Sequence, residues 1–165
     1  MSIQVAIITV SDSVVANTRE DLSGPALEKR AAELNWAVAQ KVVVQDDRSL
    51  IARAIVNLSH LDVIITTGGT GLAARDVTPE AVKLVADREV PGFGELMRAE
   101  GLKSTKWAPL SRGGAATRGS ALILMLPGSP RGAVESLNAV SHLVPHAVDL
   151  LHGRTEHKEK LGASK

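Results

Sequence analysis

Residues Ile3 to Val10 read IQVAIITV, an almost unbroken run of apolar and β-branched side chains. A strand with one wet face alternates polar with apolar residues, so this run predicts a strand buried on both faces. Only a sheet covered by helices on both sides offers such a place, and the segments that follow keep to that plan. Ser23 is placed to cap a helix whose apolar positions Leu27, Ala31 and Leu34 recur at helical spacing, and Val38 to Val44 reads as a second strand. Leu50, Ile51, Ala54, Ile55, Leu58 and Leu61 follow a 3.6-residue period and predict a second helix before a strand over Asp62 to Thr67. Strand and helix alternating in this order imply a parallel sheet with right-handed crossovers. Ligands of such sheets bind beyond the carboxyl ends of the strands.

Thr78-Pro79-Glu80 predicts a third helix, with a hydroxyl cap, proline at the first helical position and an acid in the first turn. Pro91-Gly92 breaks it, and a short helix is expected from Phe93 to about Gly101. Ala121 to Leu126 (ALILML) reads as another buried strand stopped by Pro127-Gly128, and Arg131 to Leu151 as helical with a break at Pro145. The 165 residues make one domain the default, over 1–151, followed by a polar tail over 152–165 expected to be mobile.

Charge and composition narrow the function classes. The 19 Lys and Arg nearly balance the 18 Asp and Glu, and four of the bases and two of the acids fall in 152–165, which leaves the rest at a net charge of −1. A near-neutral body argues against duplex nucleic acid, whose binding rests on many neutralised phosphates. With only Trp36, Phe93 and Trp107 as aromatics, stacking on single strands is equally disfavoured. The chain has no cysteine, which removes thiolate chemistry and agrees with a reducing compartment. No apolar run approaches the ~18 residues that span a bilayer, and no signal segment opens the chain, so a soluble cytoplasmic protein without a membrane partner is expected.

The chemistry is expected in the loops. Gly68-Gly69-Thr70-Gly71 follows the third strand, where a crevice should lie, and its glycines let backbone N–H groups approach an anion. Gly69 to Ala74 also fits the dinucleotide fingerprint in letters. There, however, the glycines open the helix directly after the first strand, whereas here the helix signals wait until Thr78. No Gly-Lys-Ser/Thr follows, so a Walker A loop is excluded. Asp76 stands between the glycine loop and the third helix, and a carboxylate beside a phosphate suggests a magnesium bridge; a capping aspartate or a partner for Arg75 is the plainer reading. Asp46-Asp47 and Ser11-Asp12 close two other strands at the same edge and are ambiguous in the same way. Leu110 to Gly114 (LSRGG), Arg118-Gly119-Ser120 and Pro127-Gly128-Ser129-Pro130 add hydroxyls, guanidinium groups and a helix start, all suited to anions and all common in turns.

Five motifs in order, TTGGTG, RDVTPEA (75–81), DREVPGFGE (87–95), LSR at Ser111 and LPGSP (126–130), resemble the molybdopterin adenylyltransferase family, which includes MogA, MoaB and the gephyrin G domain. The resemblance runs from the first strand to about Leu151. It implies a three-layer α/β/α fold with a mainly parallel sheet, a homotrimer, and use of ATP and Mg2+ to adenylylate the terminal phosphate of molybdopterin with release of pyrophosphate, before a molybdenum insertion protein acts. By the same resemblance Asp46 and Asp76 are the functional, metal-holding aspartates. Gly68, Gly69, Thr70 and Gly71 form the binding loop, with Ser111, Arg112, Ser120, Pro127 and Gly128 completing the substrate site and Ser111 and Ser120 holding the pterin phosphate. The short chain and DREV look like the MoaB subtype, while the intact Asp-Val-Thr-Pro implies activity. Two alternatives are a MoaB-type protein that binds molybdopterin without turnover and a nucleotide pyrophosphate hydrolase on the same fold.

Overall fold

The structure, a computed structural model, describes residues 2–154. Strands β1 (Gln4–Val10), β2 (Ala37–Val44), β3 (Val63–Thr67), β4 (Arg88–Val90), β5 (Gly114–Arg118) and β6 (Ala121–Leu126) form one sheet in the order β2-β1-β3-β6-β5-β4. β2, β1, β3 and β6 run parallel, whereas β5 pairs antiparallel with both β6 and β4. Helices α1 (Asp12–Val15), α2 (Ser23–Glu33), α3 (Arg48–Leu58), α4 (Thr78–Val85), α5 (Pro91–Gly101), α6 (Pro130–Val140) and α7 (Val144–Leu151) connect them.

Alternate residues of β1 divide between two cores, as the period of two in a strand demands. Val5 and Ile7 pack with Leu27 of α2, Met97 of α5, Leu137 of α6 and Val148 of α7. Ala6 and Ile8 pack with Ile51 and Ile55 of α3 and Val82 of α4. The sheet is therefore the middle of three layers, and the unbroken apolar run has its explanation: each of Val5 to Val10 is buried. Because β2 and β3 flank β1 on opposite sides, the chain changes direction across the sheet at β1, and a crevice opens between the ends of β1 and β3.

Several expected details are corrected. The cap of α2 is not the Ser23 hydroxyl; the Asp21 carboxylate accepts the Gly24 N–H at 2.9 Å. Thr78 does not cap α4 either, being buried in its first turn with its hydroxyl donated to Gly68 O at 2.9 Å. The third helix ends at Val85, ahead of β4, rather than at Pro91-Gly92; Pro91 instead starts α5, and the last helical stretch divides at 141–143, so that Pro145 lies in the first turn of α7. Two strands, β4 and β5, had no expectation. Of the tail assigned to 152–165, His152 pairs with Asp62 at 2.9 Å and Arg154 with Asp149 at 2.8 Å, while 155–165 lie outside the described residues.

Candidate active site

A cleft of about 420 Å³ opens at the carboxyl edge of the parallel strands, where the switch in strand order put it. Its wall is made of strand ends (Thr9 to Ser11, Thr67), the glycine loop, and the amino ends of α2 and α6. The loop turns here because two residues take left-handed backbone, Gly68 at φ +106° and Gly69 at φ +69°. A Cβ on Gly68 would stand 2.3 Å from Val10 O, and one on Gly69 2.3 Å from Thr78 Oγ1, so neither position has room for a side chain. Gly68 N–H donates to Leu126 O and Thr78 N–H to Gly69 O, which ties the loop to β6 on one side and α4 on the other.

Asp46 and Asp76 both line the cleft. Asp47, by contrast, turns away to cap α3, accepting the Leu50 N–H at 2.9 Å, and this separates the two adjacent aspartates that the sequence left equivalent. Asp76 is not paired with Arg75; its Oδ2 accepts the Ala73 N–H at 2.9 Å. Arg75 instead grips Asp12, with Nε on Oδ2 at 2.9 Å and Nη2 on Oδ1 at 2.8 Å. Asp12 and Asp46 are joined in turn, each accepting the other's backbone N–H.

Charge at the cleft follows from these partners. Burial pushes the Asp46 carboxyl above its ordinary value, and the neighbouring charges of Asp12 and Asp76 push the same way. Arg75 holds the Asp12 carboxyl below its ordinary value through their hydrogen bonds. Neither Asp46 nor Asp76 has an ion-pair partner among the described residues. Two unneutralised carboxylates facing a cleft are a donor set that suits a hard divalent cation. Among the described residues no three acidic or histidine side chains gather into a complete metal cage, so such an ion would need oxygen ligands from water or substrate as well.

The remaining expected residues separate into four groups. Gly68, Gly69 and Gly128 face the cleft. Thr70 and Gly71 are held from behind by Arg112, whose N–H donates to Thr70 O at 2.8 Å, Nε to Gly71 O at 2.8 Å and Nη2 to Asp76 O at 2.7 Å, with Nη1 on Glu80. That contact lowers the Glu80 carboxyl below its ordinary value. Arg112 thus clasps the loop rather than standing free in the cleft. Ser111 and Pro127 line a second hollow of about 210 Å³ beyond the 127–130 loop, between α5 and α6, and Ser129 borders both spaces. Ser120 is not brought to the site: it sits in the β5–β6 turn at the opposite edge of the sheet, next to Ala121, whereas the cleft lies past Leu126. Two participants escaped the sequence reading. Asp21 joins Thr9 Oγ1 to the start of α2 at the cleft wall, and Glu80 answers Arg112; only the acid-in-first-turn signal pointed to the second.

A family model described as a probable molybdopterin binding domain matches residues 6–146, nearly the whole of this architecture and every cleft residue. The chain belongs to that family. A molybdopterin adenylyltransferase of Helicobacter pylori (strain J99) is 41% identical over 157 residues, covering 92% of this chain and 89% of its own length. The molybdopterin adenylyltransferase of Escherichia coli K12 is 36% identical over 169 residues, with 92% and 87% covered. Among solved structures, the molybdopterin biosynthesis enzyme MoaB from Thermus thermophilus superposes with a TM-score of 0.85 at 47% identity, over 92% of this chain and 97% of that one. Members of the family at this level of likeness share the three-layer α/β/α architecture described above.

Proposed function

We propose that this chain adenylylates molybdopterin with ATP in molybdenum cofactor biosynthesis. The observation that carries the reading is the pair Asp46 and Asp76 facing one cleft beside a glycine loop that admits no side chain, in a chain 36–41% identical to proteins named for that reaction. In the transfer, a terminal phosphate oxygen of molybdopterin attacks the α-phosphorus of ATP, the bond to the β-phosphate oxygen breaks, and pyrophosphate leaves. The protein supplies no nucleophile. Its work is to align two anions and exclude competing water, which for phosphoryl-type transfer is the greater part of catalysis. With the Gly68 N–H committed to Leu126 O, the backbone at Gly69 and Gly128 and the amino end of α6 would offer the polyphosphate N–H donors. A magnesium ion accompanying ATP would be held by Asp46 and Asp76 and would neutralise charge on the phosphates. Ser111 and Pro127, in the adjoining hollow, are proposed to contact the pterin side. Arg112 and Glu80 keep the loop in shape between them.

A homotrimer, a cytoplasmic setting and delivery to a molybdenum insertion protein belong to the same proposal. Among the described residues no helix is long and apolar enough to cross a membrane. The names of the relatives favour turnover over the binding-only and hydrolase alternatives. Incubation with molybdopterin, ATP and Mg2+ should yield adenylylated molybdopterin by mass and pyrophosphate in equal amount. Bound but unchanged molybdopterin would favour the binding-only reading, and release of nucleotide from ADP-ribose without pterin would favour the hydrolase. Light scattering reads the oligomeric state.

A further inference from the structure

Asp12 does not line the cleft, yet it is bonded to both of the elements that carry the cleft carboxylates. Its backbone N–H donates to Asp46 Oδ2 at 3.0 Å, and its Oδ1 accepts the Asp46 N–H at 3.0 Å, a closed ring of two bonds between the ends of β1 and β2. Its two carboxylate oxygens also accept three bonds from Arg75, at 2.7 to 2.9 Å. Arg75 is the chain neighbour of Asp76. The strand ends, left alone, would carry Asp46 and Asp76 on two separate loops, one after β2 and one after the glycine turn. Through Asp12 the two loops share a single anchor.

We propose that Asp12 is a positioning residue that fixes the spacing of Asp46 and Asp76, with Arg75 as the second half of the anchor. This rests on the adenylylation reading given above for the cleft itself, but the anchor has consequences for binding that do not depend on turnover. The ring holds Asp46 once at its carboxylate and once at its backbone N–H, so the residue loses little freedom when substrate arrives, and misplacement of a catalytic group by about 1 Å costs on the order of a hundredfold in rate. The arrangement also explains why Arg75 makes no ion pair with Asp76: its guanidinium is occupied by Asp12.

Three variants test it: Asp12→Ala, which removes both the Asp46 acceptor and the Arg75 partner; Asp12→Asn, which keeps the acceptor; and Arg75→Gln, on an exposed loop, which keeps the Asp12–Asp46 ring. The expected result is a fall in kcat on the order of tenfold to a hundredfold for Asp12→Ala, smaller falls for the other two, and KM for molybdopterin within about threefold of wild type, while KM for ATP rises only by the magnesium-dependent part of its affinity. In an Asp46→Asn background, Asp12→Ala should cost less than it does alone, because the part of its effect that passes through Asp46 is already lost. Equal losses in both backgrounds, an effect on KM alone, or an unchanged kcat would overturn the proposal. If Asp12→Ala does not fold, Arg75→Gln decides by the same criteria. Binding of a non-hydrolysable ATP analogue, titrated with and without Mg2+, separates this proposal from the adenylylation reading. Asp12→Ala should lose the magnesium-dependent part of the affinity while keeping the metal-free part, whether or not molybdopterin is turned over. Retention of the full magnesium-dependent part overturns the anchor; a wild-type chain that forms no adenylylated product overturns the reaction instead.

Discussion

Asp12 and Asp46 each accept the other's backbone N–H at 3.0 Å, which makes the Asp46 carboxylate a structural acceptor on one oxygen and leaves its charge at the cleft. That double duty sets what happens when it is changed. Asp46→Asn keeps an oxygen for the Asp12 N–H but is a poor magnesium ligand, so kcat should fall by about two orders of magnitude or more, at least about 2.7 kcal/mol in the barrier. Asp76→Asn should behave alike, and Asp47→Asn, whose residue only caps α3, should retain turnover. Steady-state kinetics on the three variants checks this.

Stability should move the other way. Asp46 has its carboxyl pushed up from 3.8, so the folded state resists its ionisation more than the unfolded chain does, and above the folded value the charge costs stability. Asp46→Asn removes that cost at pH 7. Thermal denaturation should show the variant as stable as wild type or more so, with the gap closing as pH falls toward and below 3.8, where the wild-type carboxyl is protonated in both states.

Glu80 has the opposite sign. Its carboxyl is lowered from 4.5 by Arg112, so its contribution is present above 4.5 and is lost as pH falls through the lower folded value. Glu80→Gln should therefore differ from wild type in denaturation at pH 7 and approach it in acid. Arg112→Ala breaks the bonds to Gly71 O and Asp76 O as well, and should cost on the order of 2 kcal/mol and weaken ATP binding by loosening the loop.

Placement makes Ser120 and Ser111 a contrast. Ser120→Ala should leave the affinity for molybdopterin unchanged by calorimetry, since Ser120 sits in the β5–β6 turn away from the cleft. Ser111→Ala, beside the second hollow, should lower it by about one hydrogen bond, roughly 1 kcal/mol.

Gly68→Ala should fail outright as a binder. The new Cβ meets Val10 O at 2.3 Å in a left-handed backbone, so the loop has to shift; a drop in the denaturation midpoint together with lost ATP binding is expected.

The alternation of buried runs and amphipathic helices made the parallel half of the sheet readable, because Val5 to Val10 and Ala121 to Leu126 have only one kind of environment open to them. β5 was not readable for a physical reason. Its sequence GAATR is small where α5 lies against it, with an added Cβ at Gly114 standing 3.7 Å from Gly94 Cα, and small residues carry little strand preference. Missing β5 also misplaced Ser120, since an antiparallel hairpin carries the chain to the far edge before β6 returns. Asp46 and Asp47 were indistinguishable as letters. Which of two adjacent side chains caps and which faces the cleft is settled by the turn out of β2, and no single-residue signal records that turn. Asp12 pairing with Arg75 across 63 positions was beyond any local pattern.

The cleft wall begins at Thr9 and ends at Pro130, with Asp46 and Asp76 between. No fragment of the chain short of nearly all of it contains the binding surface, so the surface exists only once the four parallel strands have closed in order. Occupancy is then coupled to the whole fold by mass action: a ligand at a hundredfold excess over its Kd adds about 2.7 kcal/mol to the free energy of unfolding. Proteases and heat, which act on the opened chain, would meet a sheet that substrate itself holds shut.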